Sequence, residues 1–595
     1  MSRFLHFYVT ADTLAVAAAR PVSRAAPTAS ALLMALEAAV LLVPGAAPAT
    51  RSTGSGPASA ETWRLAPPAI YELSSTRNVF LIVLDMFTSH VFADLARAEP
   101  ARFDRDWAGF TYYPDHLGAL RRTDGSIPAM LTGAAFRNEV PFRQYRARHA
   151  TIFEALGREG YRLRSLTAIP SVGHPNPSRP GAEDAIRYTI PSPYSGYRDY
   201  RAAARAQLLD LSLFRHAPHG LKRHVYREQQ WLLQARHARR PDAAARAERP
   251  IGNLAFLAEF TERLHAGGDA PVYTFLHLVT PHPPLVTEAD CTYSGRPRPH
   301  TPESYAAQAR CALAALEALW ERLRALDLYD RSGIVVTADH GWDVMRPADH
   351  PLRGLETPAG PLAGIAADAT PLLLVKPAGA RGPLRSSGAP TTITDVPATL
   401  LDLADLPNTL RRGTSARTLD AAAPRPRTYA THNGEATWRR PYYDLLHVFA
   451  VDGRVTDPAS WRYRRAVFEP TGDPAAQRRA HRVGLAEAPG AAPGGAESST
   501  YWTGPYAAFF VPADTGHVAF DVRKAPDVAA QTVTVRVDGE VVGRHVLGDD
   551  AWRNLAYAVE ARDAVHSPFC VELRVDPPWR DGDDRPRGVL LRGDL

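Results

Sequence analysis

The stretch from Asn78 to Asp85, NVFLIVLD, is an uninterrupted apolar run that stops at a carboxylate. A run of this length, bounded by polar residues, is typical of a parallel strand that is buried on both faces. Open α/β sheets bind their ligands at the carboxyl ends of such strands. Asp85 is therefore predicted to lie where the chemistry of the protein takes place.

A second apolar run, Ser332 to Asp339 (SGIVVTAD), ends in the same way and continues directly into His340 and Gly341. Two such strands in one sheet would bring Asp85 and Asp339 to the same edge. Carboxylate and imidazole together suit zinc or manganese. The sequence thus predicts a divalent-metal site in an α/β fold with a mostly parallel central sheet flanked by helices.

A polar loop precedes an apolar helical stretch in RRTDGSIPAMLTG, residues 121–133. Thr123 and Ser126 are small hydroxyl residues in this loop, and Pro128 is typical of a first helical turn. A hydroxyl at a helix N-terminus beside a metal is suited to act as a nucleophile, because both favour its anion. The alternative is a helix N-cap, the usual role of Ser and Thr before a helix.

Two histidines are further candidates for the same edge. His282 follows the apolar strand Val272 to Leu278 and stands between Pro281 and Pro283, which stiffen its loop. His350 lies ten positions beyond His340, near enough to fold back over the site. We predict catalytic roles for both, with a solvated loop histidine as the alternative for His282.

The 595 residues exceed what one hydrophobic core usually sustains, and we predict three segments. Residues 1–70 form a signal-like or anchor segment and a Ser/Gly/Pro-rich linker, and residues 71–485 form the catalytic domain. Within it, Thr392 to Leu406 predicts a strand, a turn and a helix. After a second linker, short alternating strands predict a small C-terminal all-β sandwich over residues 500–595.

The N-terminal residues predict the compartment. Residues 31–43, ALLMALEAAVLLV, follow two arginines and precede Ala47-Pro48-Ala49, which is the order of a secretory signal. The run is shorter than the roughly 20 apolar residues of a membrane span and contains Glu37. We predict export to the cell envelope, periplasmic or extracytoplasmic, with contact to a membrane surface. The alternatives are the remnant of a membrane anchor and a cytosolic protein with a disordered leader.

Charge and cysteine content exclude several classes. The net charge of +6 arises from 69 Lys and Arg against 63 Asp and Glu, spread along the chain. No basic stripe is interleaved with aromatic residues, so no nucleic-acid partner is predicted. Three cysteines exclude a disulfide scaffold and a cysteine zinc ribbon. Cys291 and Cys311 either form one bridge in an oxidising compartment or remain two buried thiols.

Taken together, five motifs resemble the alkaline phosphatase superfamily, in its sulfatase-like branch. They are NVFLIVLD (78–85), TDGSIPAMLTG (123–133), HLVTPHPP (277–284), VVTADHGWD (335–343) and ITDVPATLLDL (393–403). The resemblance covers roughly residues 77–435, and the Asp-His-Gly element is its most specific part. It implies that Asp85, Asp339 and His340 bind a metal, and that Thr123 is the nucleophile and a further ligand.

The residue at the nucleophile position separates the branches of this superfamily. Sulfatases carry Cys or Ser there, followed two residues later by Pro and then Arg, so that it is oxidised to formylglycine. Here the sequence is Thr123-Asp124-Gly125-Ser126. This pattern is similar to the threonine-nucleophile members, the lipoteichoic acid synthases and lipid A phosphoethanolamine transferases. In those enzymes His282 and His350 would match histidines that hold a second metal or the phosphoryl group of the donor.

The resemblance implies a metal-dependent transferase. It would move a phospho-alcohol group from a phosphodiester, lipid-type donor to an envelope glycan or lipid through a threonine-bound intermediate. The implied cofactor is a divalent metal, zinc or manganese, with magnesium as a further option. One alternative is a phosphodiesterase or sulfatase-like hydrolase that releases the group to water. Another is a non-catalytic envelope scaffold.

Overall fold

The computed structural model describes residues 67–190, 200–226, 232–233, 249–294, 297–342, 351–432, 440–488, 500–514, 516–562 and 566–593. The chain divides into two compact units. One comprises Pro67–Pro191 and Arg249–Leu595, and the sheets described below all belong to it. The other comprises Met1–Ala66 and Ser192–Glu248, and its described part includes the helices Tyr200–His216 and His219–Tyr226.

The central sheet of the larger unit has eight strands. They are β1 (Asn78–Leu84), β2 (Thr111–Tyr112), β3 (Arg162–Thr167), β4 (Ile186–Thr189), β5 (Val272–Leu278), β6 (Ser332–Thr337), β7 (Leu373–Lys376) and β8 (Arg385–Ser386). Their spatial order is β8-β2-β7-β6-β1-β5-β3-β4. The five strands from β6 to β4 run parallel, and β7 is antiparallel to both of its neighbours. The mostly parallel sheet that the sequence predicts is confirmed.

Helices cover the sheet. The helices of the larger unit are α1 (Ser89–Ala98), α2 (Pro100–Asp106), α3 (Thr123–Thr132), α4 (Phe142–Arg148), α5 (Ile152–Arg158), α6 (Pro170–Gly173), α7 (Arg249–Arg263), α8 (Pro302–Ala325), α9 (Leu362–Ala369), α10 (Val396–Leu403) and α11 (Pro474–Ala480). All seven residues of β1 are buried. Alternate residues of β1, such as Leu81, share a core with Ile127 of α3, Phe153 of α5 and Leu400 of α10. An apolar run without alternation is what a strand covered on both faces requires.

The segment Thr392 to Leu406 differs from the predicted strand, turn and helix. Ile393–Asp395 forms a 3-10 turn, and α10 follows it directly. Thr392 and Asp395 form a capping box, in which the Asp395 carboxylate accepts a hydrogen bond from the Thr392 N–H at 2.8 Å. Thr392 makes an isolated β-bridge with Leu117, and the capping box starts the 3-10 turn directly after it, so no longer strand forms.

Two further sheets follow the central one. The first is antiparallel, with strands β9 (Arg427–Thr431), β10 (Leu445–Val451) and β11 (Trp461–Phe468). The second holds β12 (Val483–Glu487), β13 (Thr500–Val511), β14 (His517–Arg523), β15 (Gln531–Val537), β16 (Glu540–Leu547), β17 (Arg553–Ala558), β18 (Phe569–Asp576) and β19 (Leu590–Arg592). Its order is β16-β15-β18-β13-β19-β14-β17, with β12 beside β13, and every pair is antiparallel.

The C-terminal sheet closes on its own core. Val535 and Leu547 from one end of the strand order share one hydrophobic cluster with Phe520 and Leu555 from the other end. A sheet that buries one face in this way reads as alternating buried and half-buried residues, as β15 does. The predicted small all-β sandwich is confirmed.

Cys291 and Cys311 form a disulfide whose Cα atoms lie 5.4 Å apart. The bridge ties the loop that follows β5 to helix α8, and the two cysteines are 20 residues apart in the sequence. Cys570 is a buried free thiol. Of the two alternatives that the sequence leaves open, the structure shows the bridge.

Replacing both Cys291 and Cys311 with alanine is expected to lower the free energy of unfolding by about 3 kcal/mol. Closing a loop of some 20 residues restricts the unfolded chain by about that amount. Urea denaturation of the oxidised protein and the double variant measures the difference, and the Cys570→Ala variant controls for loss of a thiol. Equal denaturation midpoints for the oxidised protein and the double variant would contradict the prediction.

No helix in the described ranges is long and apolar enough to cross a membrane. Residues 31–43, for which a secretory signal is predicted, lie outside those ranges. Export to the cell envelope therefore stays a prediction from the sequence.

Candidate active site

The carboxyl ends of three central strands meet at one edge of the sheet. Val83 of β1 is opposite Thr337 of β6, and Leu84 is opposite Leu278 of β5. The N–H of Asp85 continues the ladder by donating to the Leu278 carbonyl at 2.9 Å. Because the strands end in register, the residues that follow them lie side by side, as the sequence predicts for a parallel sheet.

Asp85, Asp339 and His340 form a compact buried cluster at this edge. One ligand atom from each lies within 4.8 Å of the other two. His340 Nε2 is 3.5 Å from Asp339 Oδ2 and 4.0 Å from Asp85 Oδ1. His340 Nδ1 lies 2.8 Å from the Gly341 carbonyl, to which it can only donate. In the neutral imidazole Nε2 therefore carries the lone pair, and it faces the two carboxylates.

The cluster fits a divalent cation. Asp85 Oδ1 and Asp339 Oδ2 are buried, and neither has a hydrogen-bond partner among the described residues. Two carboxylate oxygens that face one another without donors repel, and leaving them unpaired in the interior is costly. Carboxylate and imidazole donors with a deprotonated Nε2 are the ligands that zinc and manganese accept. The residues present thus match the metal site that the sequence predicts.

The charges around Asp85 keep it ionised. Burial alone would raise the pKa of Asp85, but the nearby His282, His277 and His340 lower it to about 2. Burial alone would also lower the pKa of His340, yet Asp339 and Asp85 raise it above its usual value. Asp339 and Asp85 thus favour the positively charged form of His340, and a bound cation would supply that positive charge in its place.

A strained turn positions Asp339. Met86, directly after Asp85, has a φ of 67°, in the left-handed region that non-glycine residues seldom adopt. In this conformation the Met86 N–H donates to Asp339 Oδ1 at 3.0 Å. Tyr305 of α8 supports the turn by donating its hydroxyl to the Met86 carbonyl at 2.6 Å and by accepting from the Thr88 N–H at 3.0 Å. One carboxylate oxygen of Asp339 is thus fixed, and the other faces the cluster.

Gly341 allows the chain to pass close to α9. A Cβ atom at this position would lie 2.0 Å from the Ala367 carbonyl oxygen. The Gly341 N–H donates to the Asp368 carbonyl at 2.8 Å, and the Asp368 carboxylate holds Arg121 Nε at 2.8 Å. The Asp-His-Gly motif therefore needs its glycine for backbone packing, and this packing places Arg121 two residues before Thr123.

Thr123 is the first residue of α3, and its hydroxyl faces the cluster. Thr123 Oγ1 lies 3.5 Å from His340 Nε2, and the side chain is half-buried. The N-cap position is Arg122, and no side chain caps this helix end. Ser126, the other candidate hydroxyl, lies within α3 and donates to the Leu120 carbonyl at 2.7 Å. Thr123 therefore does not cap the helix, and its predicted role as the nucleophile stays a prediction at this point.

His282 is half-buried on the loop after β5, with Nδ1 2.6 Å from the Pro283 carbonyl. Gln308 of α8 fixes this loop: its Nε2 donates to the carbonyls of Pro281 and His282, each at 3.1 Å. His282 is close enough to Asp85 for its charge to lower the pKa of that carboxyl. His350 lies outside the described residues, so its predicted role stays a prediction.

His277 belongs to the site and was missed by the sequence interpretation. It is fully buried in β5, with Nε2 3.4 Å from Asp85 Oδ2 and Nδ1 3.1 Å from Thr167 Oγ1. These contacts suit the tautomer in which Nε2–H faces the carboxylate and Thr167 donates to Nδ1. The available signal was a histidine one residue before the end of an otherwise apolar strand.

Replacing His277 with glutamine is expected to lower metal affinity or activity by 10- to 100-fold, the usual cost of losing a residue that orients a metal ligand. Glutamine keeps a polar side chain, so the fold should survive. Competition of the protein with a zinc-binding dye measures the affinity directly. Thr167→Val is the graded control, since it removes only the contact with Nδ1. An unchanged zinc affinity and unchanged kcat/KM in His277→Gln would rule out a positioning role.

Comparisons with known proteins agree with this fold. A sulfatase family model matches residues 246–406, which include His282, Asp339 and His340 but not Asp85 or Thr123. A search of curated proteins found no match.

Solved structures that match this chain include two phosphonate monoester hydrolases and a putative sulfatase. The hydrolase SpPMH from Silicibacter pomeroyi has 16% identity and a TM-score of 0.39, over 67% of this chain and 90% of its own. The hydrolase from Agrobacterium radiobacter has 15% identity and a TM-score of 0.38, over 65% and 88%. The putative sulfatase yidJ from Bacteroides fragilis has 11% identity and a TM-score of 0.36, over 72% and 94%.

The residues matched by the family model include part of the candidate active site. Asp339 and His340 lie inside the matched residues, and Asp85, the third member of the cluster, joins them at the edge of the central sheet. The fold is a mostly parallel α/β sheet flanked by helices and followed by an antiparallel β-sandwich, and residues 246–406 match the sulfatase family model. Together these findings support an enzyme of the sulfatase-like type.

Proposed function

We propose that this protein is a metal-dependent phosphotransferase that uses Thr123 as its nucleophile. It would take a phospho-alcohol group from a phosphodiester, lipid-type donor and pass it to a glycan or lipid hydroxyl. The observation that carries the proposal is the position of Thr123 Oγ1, which lies 3.5 Å from His340 Nε2 of the carboxylate cluster.

The identity of the nucleophile argues against formylglycine chemistry. Oxidation of a primary alcohol or thiol on Cβ gives an aldehyde, whereas the secondary alcohol of threonine would give a ketone. The Pro and Arg that follow the nucleophile in sulfatases are also absent from Thr123-Asp124-Gly125-Ser126. A threonine hydroxyl can instead act directly as a nucleophile and form a covalent intermediate.

The reaction would proceed in two displacements at phosphorus. Thr123 Oγ1 bonds to phosphorus as the bond to the leaving alcohol oxygen breaks; the threonine proton goes to solvent, and the leaving oxygen takes up a proton. An acceptor oxygen then bonds to phosphorus as the bond to Oγ1 breaks; the acceptor hydroxyl gives up its proton to solvent, and Thr123 Oγ1 takes one up. A divalent cation held by Asp85, Asp339 and His340 would lower the pKa of the Thr123 hydroxyl and offset charge on the phosphoryl oxygens.

The other residues of the site would bind and orient. Arg121, held by Asp368 Oδ2 at 2.8 Å, supplies positive charge on the loop that leads into Thr123. His282, on a loop fixed by Gln308, is suited to contact the phosphoryl oxygens of the donor. A fixed set of donors around the phosphoryl group stabilises the transition state because it needs no reorganisation during the reaction.

Hydrolysis is the second candidate, and the sulfatase family match favours it. The first displacement would be the same, and water would replace the acceptor alcohol in the second.

The disulfide between Cys291 and Cys311 supports the proposed extracytoplasmic location, because such bridges persist in oxidising compartments such as the periplasm. An extracytoplasmic enzyme would meet lipid donors at a membrane surface.

The covalent intermediate is the test of the proposed function. The protein is incubated with a phosphatidylglycerol or phosphatidylethanolamine dispersion and examined by intact-mass and peptide mass spectrometry. We expect a mass gain on the peptide that carries Thr123, equal to phosphoglycerol or phosphoethanolamine. Addition of a free alcohol should then yield a new phosphodiester if the enzyme transfers, and only the free phospho-alcohol if it hydrolyses. Turnover of the donor without any adduct on Thr123 would refute the proposed intermediate.

A further inference from the structure

A cavity lies away from the metal cluster. It measures about 460 Å³ and is bounded by the last turn of α3, by α4 and α5, and by α6 with the loop after it. Pro128 is the lining residue of α3 nearest to Thr123, five residues along the helix, which corresponds to about 7.5 Å at the rise of an α-helix. None of Asp85, Thr123, Asp339 and His340 lines it. The cavity is therefore distinct from the candidate active site.

The cavity is positively charged. Arg143 and Arg146 line it from one face of α4, since residues three apart on a helix are neighbours. Arg179 lines it from the loop after α6 and pairs with Glu154 at 3.1 Å. Glu154 is the only carboxylate among the lining residues, so three guanidinium groups face one carboxylate.

Two of the three arginines have no carboxylate partner within the described ranges. Arg143 is exposed and makes no ion pair or side-chain hydrogen bond there. Arg146 donates to the backbone carbonyl of Ser171, and its burial lowers the pKa of its guanidinium. Holding a partly buried cation beside a neutral acceptor costs free energy that an anion in the cavity would offset.

The remaining walls suit a small organic molecule. Pro128, Leu131, Phe142 and Val172 give an apolar surface, and Asn176 adds an amide. A volume of 460 Å³ lies in the range of small-molecule sites, which combine apolar walls with a few polar groups. Guanidinium groups bind phosphate and sulfate oxygens in pairs, with planar geometry.

We propose that this cavity binds a phosphate or sulfate ester of a sugar-sized molecule. Arg143 and Arg146 contact the anionic group, and the apolar wall covers the ring that carries it. The proposal rests on the cavity and does not require the reaction proposed at Thr123.

Isothermal titration calorimetry tests the proposal. The full-length protein is titrated with glucose 6-phosphate and, separately, with glucose 6-sulfate. We expect binding to the wild-type protein and to Thr123→Ala, and at least tenfold weaker binding to Arg143→Ala. Arg148→Ala is the matched control, because Arg148 is an exposed arginine on the same helix that does not line the cavity. It removes the same charge and should bind the ester as the wild type does. Arg146→Lys keeps the charge without the planar fork and should show an intermediate affinity.

Three further measurements complete the test. Inorganic phosphate and glucose should each bind more weakly than the ester, since each lacks one half of the ligand. Vesicles that contain phosphatidylglycerol show whether a lipid headgroup can supply the phosphate ester; binding that Arg143→Ala weakens would identify that source. The proposal is overturned if neither ester binds at millimolar concentration, if Arg148→Ala weakens binding as much as Arg143→Ala, or if binding is lost in Thr123→Ala alone.

Discussion

Replacing Thr123 with alanine is expected to lower kcat/KM for a phosphodiester by about 10³-fold or more, or about 4 kcal/mol of transition-state stabilisation. The variant keeps the metal cluster and loses the hydroxyl that lies 3.5 Å from His340 Nε2. Water can replace that hydroxyl only poorly, because it is not held at a helix N-terminus in the required position. Steady-state kinetics with bis(p-nitrophenyl) phosphate, together with circular dichroism of the folded variant, would measure the loss.

Two companion variants separate the nucleophile from its surroundings. Thr123→Ser keeps the hydroxyl and should retain activity within about tenfold of the wild type. Ser126 lies on the same helix as Thr123, and its hydroxyl donates to the Leu120 carbonyl. Ser126→Ala should lower the free energy of unfolding by about 1 kcal/mol with little effect on kcat. If Thr123→Ala keeps more than a tenth of the wild-type activity, another group is the nucleophile.

The apolar runs explain why the core of the fold and part of the site could be predicted. β1 and β6 are fully buried, so their sequences lack the alternation of a half-buried strand and identify a parallel sheet. Each run ends one or two residues before a carboxylate, and parallel strands that start together also end together. Asp85 and Asp339 are therefore brought to one edge by local sequence alone.

The parts that sequence interpretation missed depend on contacts between distant segments. His277 lies inside an apolar strand, where a histidine usually belongs to the core, and only its pairing with β1 places it against Asp85. Tyr305 and Gln308 lie on the buried stripe of α8, yet they hold the Met86 turn and the His282 loop. A helical period predicts that such residues are buried, but it does not predict which backbone groups their polar atoms meet.

The turn at Thr392 was also mispredicted because it depends on side-chain contacts. The sequence TTITDVPATLL has the β-branched residues of a strand, whereas the structure has a 3-10 turn. The capping box between Thr392 and Asp395 decides the outcome, and Arg425, which contacts Asp395 Oδ2 at 2.6 Å, fixes the carboxylate from another segment. Side-chain hydrogen bonds of this kind compete with strand pairing.

Removal of the metal is expected to abolish activity, and the same treatment should lower the melting temperature of the wild-type protein. Asp85 Oδ1 and Asp339 Oδ2 are buried and face one another, so a bound cation stabilises the folded state. At a concentration 100 times the dissociation constant, a ligand adds about 2.7 kcal/mol to the free energy of unfolding. Zinc or manganese added back after treatment with EDTA should restore both the melting temperature and the activity, and elemental analysis would give the stoichiometry.

The variant Asp339→Asn is expected to be less stable than the wild-type protein when metal is present but not when metal is absent. In the presence of metal it is expected to lose about 10³-fold or more in activity and most of the metal-dependent stabilisation, because an amide is a weaker ligand than a carboxylate. Without metal it should be as stable as the wild-type protein or more stable, since the neutral amide no longer repels Asp85. Asp330→Asn, a half-exposed residue paired with Arg381, removes the same charge and should change neither result. A loss of stability in Asp339→Asn that is equal with and without metal would mean that Asp339 serves the fold and not a cation.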